Sequence, residues 1–369
     1  MKVAHLVWNL IRGGTEGQCA RVAMELSLRG QDIHRVVVFR REGYFVDPVE
    51  RACGPVTEVG IEGFVRWSTW KSVRRLGRQL RDEGFQIVHA WDADAAIFGQ
   101  WIASVAGLPL VTSRRDLGQI YPEYKKWLMH RADRKAVAVI ANAKAIVDEF
   151  VRHGAEPMKF HKIPNILNLE EFNSFKQHTL SCAQELPPGE RLVMVCRLDP
   201  EKDVATFISA AEIIVKEHPN ASIVIAGDGV ERRVLGSMVA NRFLSNKVIF
   251  LGEVTEIPAL LAACSIGVLT PSRNEGLSNT ILEYMAAGLP VVATDCGGNK
   301  ELIQMPSGGS IVPIGAYQEV ARACLTLLRN PPLRKSIGEF NRAIVTNHHQ
   351  PCQIADQFDQ IYRSILNQA

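Results

Sequence analysis

The chain predicts two doubly wound α/β domains facing across a cleft, and three observations carry that prediction. Short apolar runs alternate with helical patterns from end to end, as in parallel sheets with helices on both faces. The length of 369 residues is enough for two domains with a core apiece. A polar stretch at 173–190, ending in Pro187-Pro188-Gly189, parts one series of strands from the next and reads as a linker. The domains are therefore expected at 1–172 and 191–350, with 351–369 as a closing segment. Ligands in such sheets bind outside the carboxyl ends of the strands, so the cleft is the expected site.

In the first series, strands are expected at Val3 to Trp8, His34 to Phe39, Val56 to Val59, Ile87 to Ala90, Leu110 to Thr112 and Ala136 to Ala141. Gly13 and Gly14 follow the first of these, where glycine lets a backbone approach a ligand closely. The run is not G-x-G-x-x-G, so it gives little support to a dinucleotide site. Asp92-Ala93-Asp94 has D-x-D spacing, but it follows a strand and precedes a helical run, and an N-cap is the simpler account than a metal. Over 67–82 a helix is expected with Trp70, Val73, Leu76 and Leu80 on one face and Lys71, Arg74, Arg75, Arg78 and Arg81 on another. Either the basic stripe is simply solvated, or it lies against anionic lipid headgroups. Tyr121 to Arg134, with Lys125, Lys126 and Trp127, extends the same patch.

The second series is expected at Leu192 to Cys196, Ser222 to Ala226, Val248 to Leu251, Ile266 to Thr270, Val291 to Thr294 and Ser310 to Val312. The most informative stretch runs from Ser272 to Pro290. Glu275 lies in a loop after a strand, Ser278 is a good N-cap, Glu283 falls about one turn inside the helix, and Gly288 ends it. The bare amides of such a helix start favour a phosphate or diphosphate. Gly276 with the amides of Leu277 and Ser278 makes the expected cradle. Carboxylates on either side suit a ligand with hydroxyls flanking a phosphate, as in a nucleotide sugar. Arg197 and Lys202 stand five residues apart around a turn at the end of another strand, two cations suited to phosphate oxygens. Gly227-Asp228-Gly229 also follows a strand, either as a ligand loop or as a plain turn. Gly297 and Gly298 are candidates to line a sugar pocket, with Glu301 anchoring the turn.

These residues carry a family resemblance. Arg197 and Lys202, followed by Glu275 and Glu283, resemble the Arg…Lys and E-x7-E signature of the family 4, or group 1, retaining glycosyltransferases. Gly13-Gly14-Thr15-Glu16, Asn142-Ala-Lys, Ile163-Pro164-Asn165 and Gly297-Gly298-Asn299-Lys-Glu301 match further segments in order, so the likeness covers nearly the whole chain. It implies the GT-B fold, with two Rossmann-like domains and a last helix, about Ile354 to Leu366, returning to the N-terminal one. It implies transfer of a sugar from a nucleoside diphosphate sugar to an acceptor hydroxyl on a glycan, a lipid-linked carrier or a cell-envelope intermediate. Same-face attack is implied, with the leaving phosphate taking the proton and with no metal or other cofactor. Arg197, Lys202 and Glu275 would be catalytic, and Gly13, Gly14, Gly227, Gly276, Leu277, Ser278 and Glu283 would bind donor. Where many members carry a His after the fifth strand, this chain has Arg114, followed by Arg115 and Asp116. These three and His89 are the acceptor-side candidates, and the open reading of Arg114 is a structural Arg–Asp pair. A non-catalytic nucleotide-sugar binder and a sugar-nucleotide epimerase remain the competing functions.

Composition excludes more than it selects. A net charge of +3, with 47% hydrophobic and 22% charged residues, argues against a nucleic-acid partner. The eight cysteines are scattered without a C-x-x-C pair and fit reduced core thiols. The amino terminus reads as a strand rather than a signal peptide, and no apolar run approaches the ~20 residues that span a bilayer. A cytoplasmic protein, at the inner membrane face if the 67–82 helix binds lipid, is the expectation. His348 and His349 are expected at the surface.

Overall fold

The computed structural model describes residues 1–61, 63, 66–175 and 186–368. Positions 176–185 of the expected linker lie outside them. The chain divides into two compact units, Met1–Ile166 with Pro351–Ala369, and Leu167–Gln350. The described ends of the expected linker belong to regular elements, a helix at Leu169–Phe175 and a strand opening at Glu190.

Unit 1 is a seven-stranded parallel sheet. Its strands are β1 (Lys2–Val7), β2 (Ile33–Val38), β3 (Thr57–Glu58), β4 (Ile87–Ala90), β5 (Leu110–Arg114), β6 (Ala138–Ala141) and β7 (Phe160–Lys162), in the order β3-β2-β1-β4-β5-β6-β7. The central strands are buried along nearly their whole length, as parallel strands covered on both faces must be. Strand β7 carries no apolar pattern and is mostly exposed. Only its pairing with β6 makes it a strand, which is why the sequence does not reveal it.

Helices α1 (Gly14–Leu28) and α2 (Val46–Cys53) pack on one face, and α3 (Trp67–Asp82), α4 (Ala93–Ala106) and α5 (Glu123–Lys135) follow β3, β4 and β5, with α3 and α4 packing on the other. The chain's last helix, Pro351–Gln368, joins the α1 face. Ile354, Ala355, Phe358 and Tyr362 form its buried stripe, and the Phe358 ring stacks on Trp91 with centroids 5.4 Å apart. Arg29 binds Asp356 at 2.6 Å, and Arg363 binds Asp32 at 2.8 Å.

Unit 2 has six parallel strands in the order β10-β9-β8-β11-β12-β13. They are β8 (Glu190–Val195), β9 (Ala221–Ala226), β10 (Val248–Gly252), β11 (Ile266–Leu269), β12 (Val291–Thr294) and β13 (Gly309–Val312). After α6 (Lys144–Arg152) of unit 1, the helices continue in unit 2 with α7 (Leu169–Phe175), α8 (Val204–Glu217), α9 (Arg232–Asn241), α10 (Ile257–Ala262) and α11 (Asn279–Ala287). The chain winds outward from β8 through β9 and β10, then returns to the other side of β8 with β11. The β8–β11 seam is therefore the topological switch point, where the connections diverge and leave a crevice at the carboxyl ends. His349, expected at the surface, is 5% exposed, and its carbonyl accepts the Leu167 N–H. Among the described residues no helix is long and apolar enough to cross a membrane.

Candidate functional site

In unit 2 the loops that leave β8, β9, β11 and β12 converge at the carboxyl edge of the sheet. After β8 the chain makes a short 3-10 turn at Pro200–Lys202. Asp203 then adopts the left-handed region (φ 46°) and caps α8 (Val204–Glu217), accepting from the Thr206 N–H and hydroxyl. After β11 the chain runs through Asn274, also left-handed at φ 59°, into Glu275 and then into α11 (Asn279–Ala287). The two loops are stitched together. The Ser272 N–H donates to the Glu201 carbonyl at 2.8 Å, and the Thr270 hydroxyl donates to the Asp203 carbonyl at 2.9 Å.

Across this seam Lys202 Nζ donates to Glu275 Oε2 at 2.6 Å, with side chains 21% and 10% exposed. Burial alone would lower the Lys202 ammonium, but the Glu275 carboxylate beside it outweighs that and holds it above its ordinary range. Arg197 is placed differently. Its side chain is 71% exposed and is held by acids of its own loop, Asp199 at 2.9 Å and Glu201 at 3.3 Å. Sequence spacing groups Arg197 with Lys202; the structure couples Lys202 with Glu275 and leaves Arg197 on the open side of the turn.

The glycines around this pair are packing requirements as well as candidate ligand contacts. Gly227 has φ 128°, and a Cβ there would stand 1.9 Å from the Cys196 carbonyl oxygen. Gly297 has φ 55°, and its Cβ would stand 1.8 Å from the Glu275 carbonyl oxygen. The Gly298 N–H donates to the Gly276 carbonyl at 3.0 Å. The Gly297-Gly298 turn thus braces the loop that presents Glu275 and Gly276. Two thiols flank the ion pair, and burial pushes Cys196 up to about 12 and Cys296 up to about 11. Neither supplies a thiolate at neutral pH.

Ser278 is the N-cap of α11, accepting the Ile281 N–H at 3.4 Å, and Gly288 closes the helix in the left-handed region. Gly276, Leu277 and Ser278 are buried at the helix start, and Glu283 is half-buried within it. Tyr284, which the sequence reading passed over, is fully buried. Its hydroxyl accepts from the Val195 N–H at 2.8 Å and donates to the Val268 carbonyl at 3.2 Å. No periodicity signals this, because one buried aromatic on an amphipathic helix looks like any other.

The candidates in unit 1 divide. Gly13 is the N-cap of α1, and Gly14 is its first residue. A Cβ on Gly13 would stand 2.0 Å from a Glu16 carboxylate oxygen, so Glu16 folds back over the amide end of the helix, where the dipole favours negative charge. His89, expected at an accessible strand end, lies fully inside the core. One ring nitrogen meets the Tyr362 hydroxyl at 2.6 Å and the other meets Ser113 at 2.8 Å, so it fastens the last helix to the sheet rather than facing a ligand.

Arg114 is 3% exposed and makes a two-pronged pair with Asp133 at 2.6 and 2.9 Å. It is a structural cation, and its partner is Asp133 of α5, not the adjacent Asp116. Arg115 remains half-buried. It donates to Asn165 at 2.6 Å and lies over the Trp91 ring at 4.8 Å, and burial pushes it down to about 10. Asp116 accepts from the Gly118 N–H at 2.8 Å and the Tyr121 hydroxyl at 2.9 Å. Asp92 caps α4, accepting the Ala95 N–H at 2.8 Å and the Trp8 N–H at 2.7 Å, while Asp94 pairs with Lys125 at 2.8 Å.

With this geometry in place, comparisons with known proteins are specific. Residues 12–171 match the model for Glycosyltransferase Family 4, and residues 184–344 match that for Glycosyl transferases group 1. Alpha-D-kanosaminyltransferase of Streptomyces kanamyceticus is 29% identical over 314 residues, covering 79% of this chain and 81% of that protein. UDP-Gal:alpha-D-GlcNAc-diphosphoundecaprenol alpha-1,3-galactosyltransferase of Escherichia coli is 28% identical over 268 residues, 66% of each chain. Anabaena Alr3699/HepE, solved in complex with UDP-glucose, superposes with a TM-score of 0.87 at 22% identity, over 99% of this chain and 100% of that one, which establishes the shared architecture. Two family models between them span both units, and the fold agrees with them: the chain belongs to the family 4 and group 1 glycosyltransferases and is a glycosyltransferase of the GT-B fold.

Proposed function

We propose that the enzyme is a retaining, metal-independent glycosyltransferase that takes its sugar from a nucleoside diphosphate sugar bound at the β8–β11 crevice of unit 2. The observation that carries this reading is the Lys202–Glu275 pair, part-buried beside the N-terminal end of α11. Lys202 supplies fixed positive charge where a departing diphosphate becomes more negative, and it is stabilising in the transition state more than in the ground state. The α11 amides add the N-terminal dipole to the same anion. Glu275 orients Lys202 and receives donor sugar hydroxyls, and Glu283 takes the ribose. Arg197, exposed on its turn, swings from Asp199 and Glu201 onto the phosphate when donor arrives. Same-face attack needs no protein nucleophile; the leaving phosphate accepts the acceptor's proton.

A thermal-shift screen of nucleoside diphosphates and their sugars tests the donor assignment, because a ligand of the native state raises its melting temperature by mass action. At least one diphosphate is expected to stabilise the protein; a flat response across all bases rejects the site. Release of nucleoside diphosphate that depends on acceptor separates a transferase from an epimerase, which needs none. The anomeric configuration of the product, read by NMR, decides between retention and inversion.

For the acceptor, we infer a lipid-linked or membrane-borne glycan. Lys71, Arg74, Arg75 and Arg78 are exposed on α3, and none of their side chains makes a hydrogen bond or ion pair among the described residues. Trp67 at the head of that helix is 68% exposed, and Tyr124 and Trp127 on α5 are also exposed. Cations beside amphipathic rings suit an anionic headgroup layer. Binding to vesicles of anionic phospholipid is expected, weakening with salt and lost when the four cations become serine. Equal binding to neutral vesicles, or none to either, rejects it.

A further inference from the structure

Strands β8 and β11 pair only over Leu192↔Ile266 and Val193↔Gly267, although both continue beyond. In that parallel register the next ladder bond would run from the Val195 N–H to the Val268 carbonyl. These are the two groups that the Tyr284 hydroxyl takes, accepting from one at 2.8 Å and donating to the other at 3.2 Å. Two hydrogen bonds in series occupy the place of one, so the strands are held apart at that level. On its other side Val195 remains in register with Ala226 of β9, and Val268 with Val292 of β12, so the parting is confined to this seam. Room for the ring is kept by Gly267: a Cβ there would stand 2.4 Å from it.

The parting lies at the topological switch point, directly below the loops that carry Lys202 and Glu275. We propose that Tyr284 is a positioning residue: its hydroxyl is a spacer inserted in the β8–β11 ladder that sets the width of the crevice for the donor diphosphate. The spacer fixes the separation of the two loop bases, and the Lys202–Glu275 pair and the Ser272–Glu201 bond then span that set distance. The hydroxyl is buried, and burial pushes it far above the ordinary phenol range, so it stays a neutral donor and acceptor at any working pH. The spacer claim rests on the donor-site reading only for what the crevice holds, not for its existence.

Tyr284→Phe keeps the ring over Gly267 and removes only the bridge. The freed Val195 N–H and Val268 carbonyl are expected to bond directly, closing the seam. A crystal structure of the variant would then show Val195 N and Val268 O within hydrogen-bond distance. The KM for the donor should rise about tenfold, with the KM for acceptor unchanged and the melting temperature close to that of the parent. Gly267→Ala, which displaces the ring and with it draws the intact hydroxyl out of the ladder, should move donor KM in the same direction.

An unchanged strand separation in Tyr284→Phe overturns the spacer. So does a normal donor KM in a variant whose seam has closed. A drop in kcat with unchanged donor KM and a lowered melting temperature would mark Tyr284 as packing only. If the parent protein binds no nucleoside diphosphate, the donor reading fails while the strand separation still decides the spacer.

Discussion

Lys202 and Glu275 are 73 positions apart in sequence, and their 2.6 Å contact is made by two loops that meet only because β8 and β11 are neighbours. Each side chain stabilises the other in a low-dielectric place, so removing either leaves a lone charge at the crevice. Lys202→Ala or Glu275→Ala is expected to cut turnover at least ~100-fold, the range for losing one preorganised transition-state contact. Near-parental rates in both, measured as nucleoside diphosphate release, would reject the assignment. The types and spacing of Lys202 and Glu275, through the family likeness, single them out as candidates in the sequence. Their pairing was not, because spacing along a chain carries no record of which loop a carboxylate will lean against. Arg197 shows the converse: nearby in sequence, it is held by Asp199 and Glu201 in its own turn.

Whole elements depend on polar fasteners that sequence patterns do not advertise. Helix α5 is tied to β5 by Asp133, which accepts two bonds from Arg114 and one from the Thr112 hydroxyl at 2.8 Å. Asp133→Ala would strand a buried guanidinium and is expected to cost about 3–5 kcal/mol of stability, whereas replacing Arg114 and Asp133 together by Met and Leu is expected to be near neutral. Urea titration can read both, since all six tryptophans, at 8, 67, 70, 91, 101 and 127, lie in unit 1 and report on it alone. A double variant as unstable as the single would show that Asp133 matters for more than neutralising Arg114. Helices are legible in the sequence where amphipathic periodicity and caps agree, as at Ser278–Gly288 and Asp92, whereas β7 is not, because its sequence Phe-His-Lys has no pattern to read.

At the scale of the molecule, unit 1 encloses three histidines. His5 and His34 contact each other at 3.0 Å, Trp91 donates to His5 at 3.1 Å, and His89 joins Tyr362. Burial pushes all three below the ordinary imidazole range, His34 to about 4 despite the opposing pull of Asp32 and Asp359. A group whose folded value is depressed binds its proton more readily unfolded, so the stability it contributes is full above pH ~6.5 and drains away as pH falls toward 4. For His34 alone this amounts to about 3 kcal/mol. Tryptophan-detected urea midpoints should therefore fall between pH 7 and 5, and His34→Gln should flatten the slope; an unchanged midpoint would show that the cluster is not buried neutral. By itself the sequence determined the two-sheet architecture, most strand positions and the loop, cap and helix of the Ser272–Gly288 segment, because hydrophobic alternation, glycine and cap residues act over a few neighbours. Only the tertiary structure decided that Glu275 takes Lys202, that Arg114 and His89 are internal fasteners, and that Tyr284 enters a strand ladder, because each depends on which strands lie side by side, and distance along a chain does not encode distance in space.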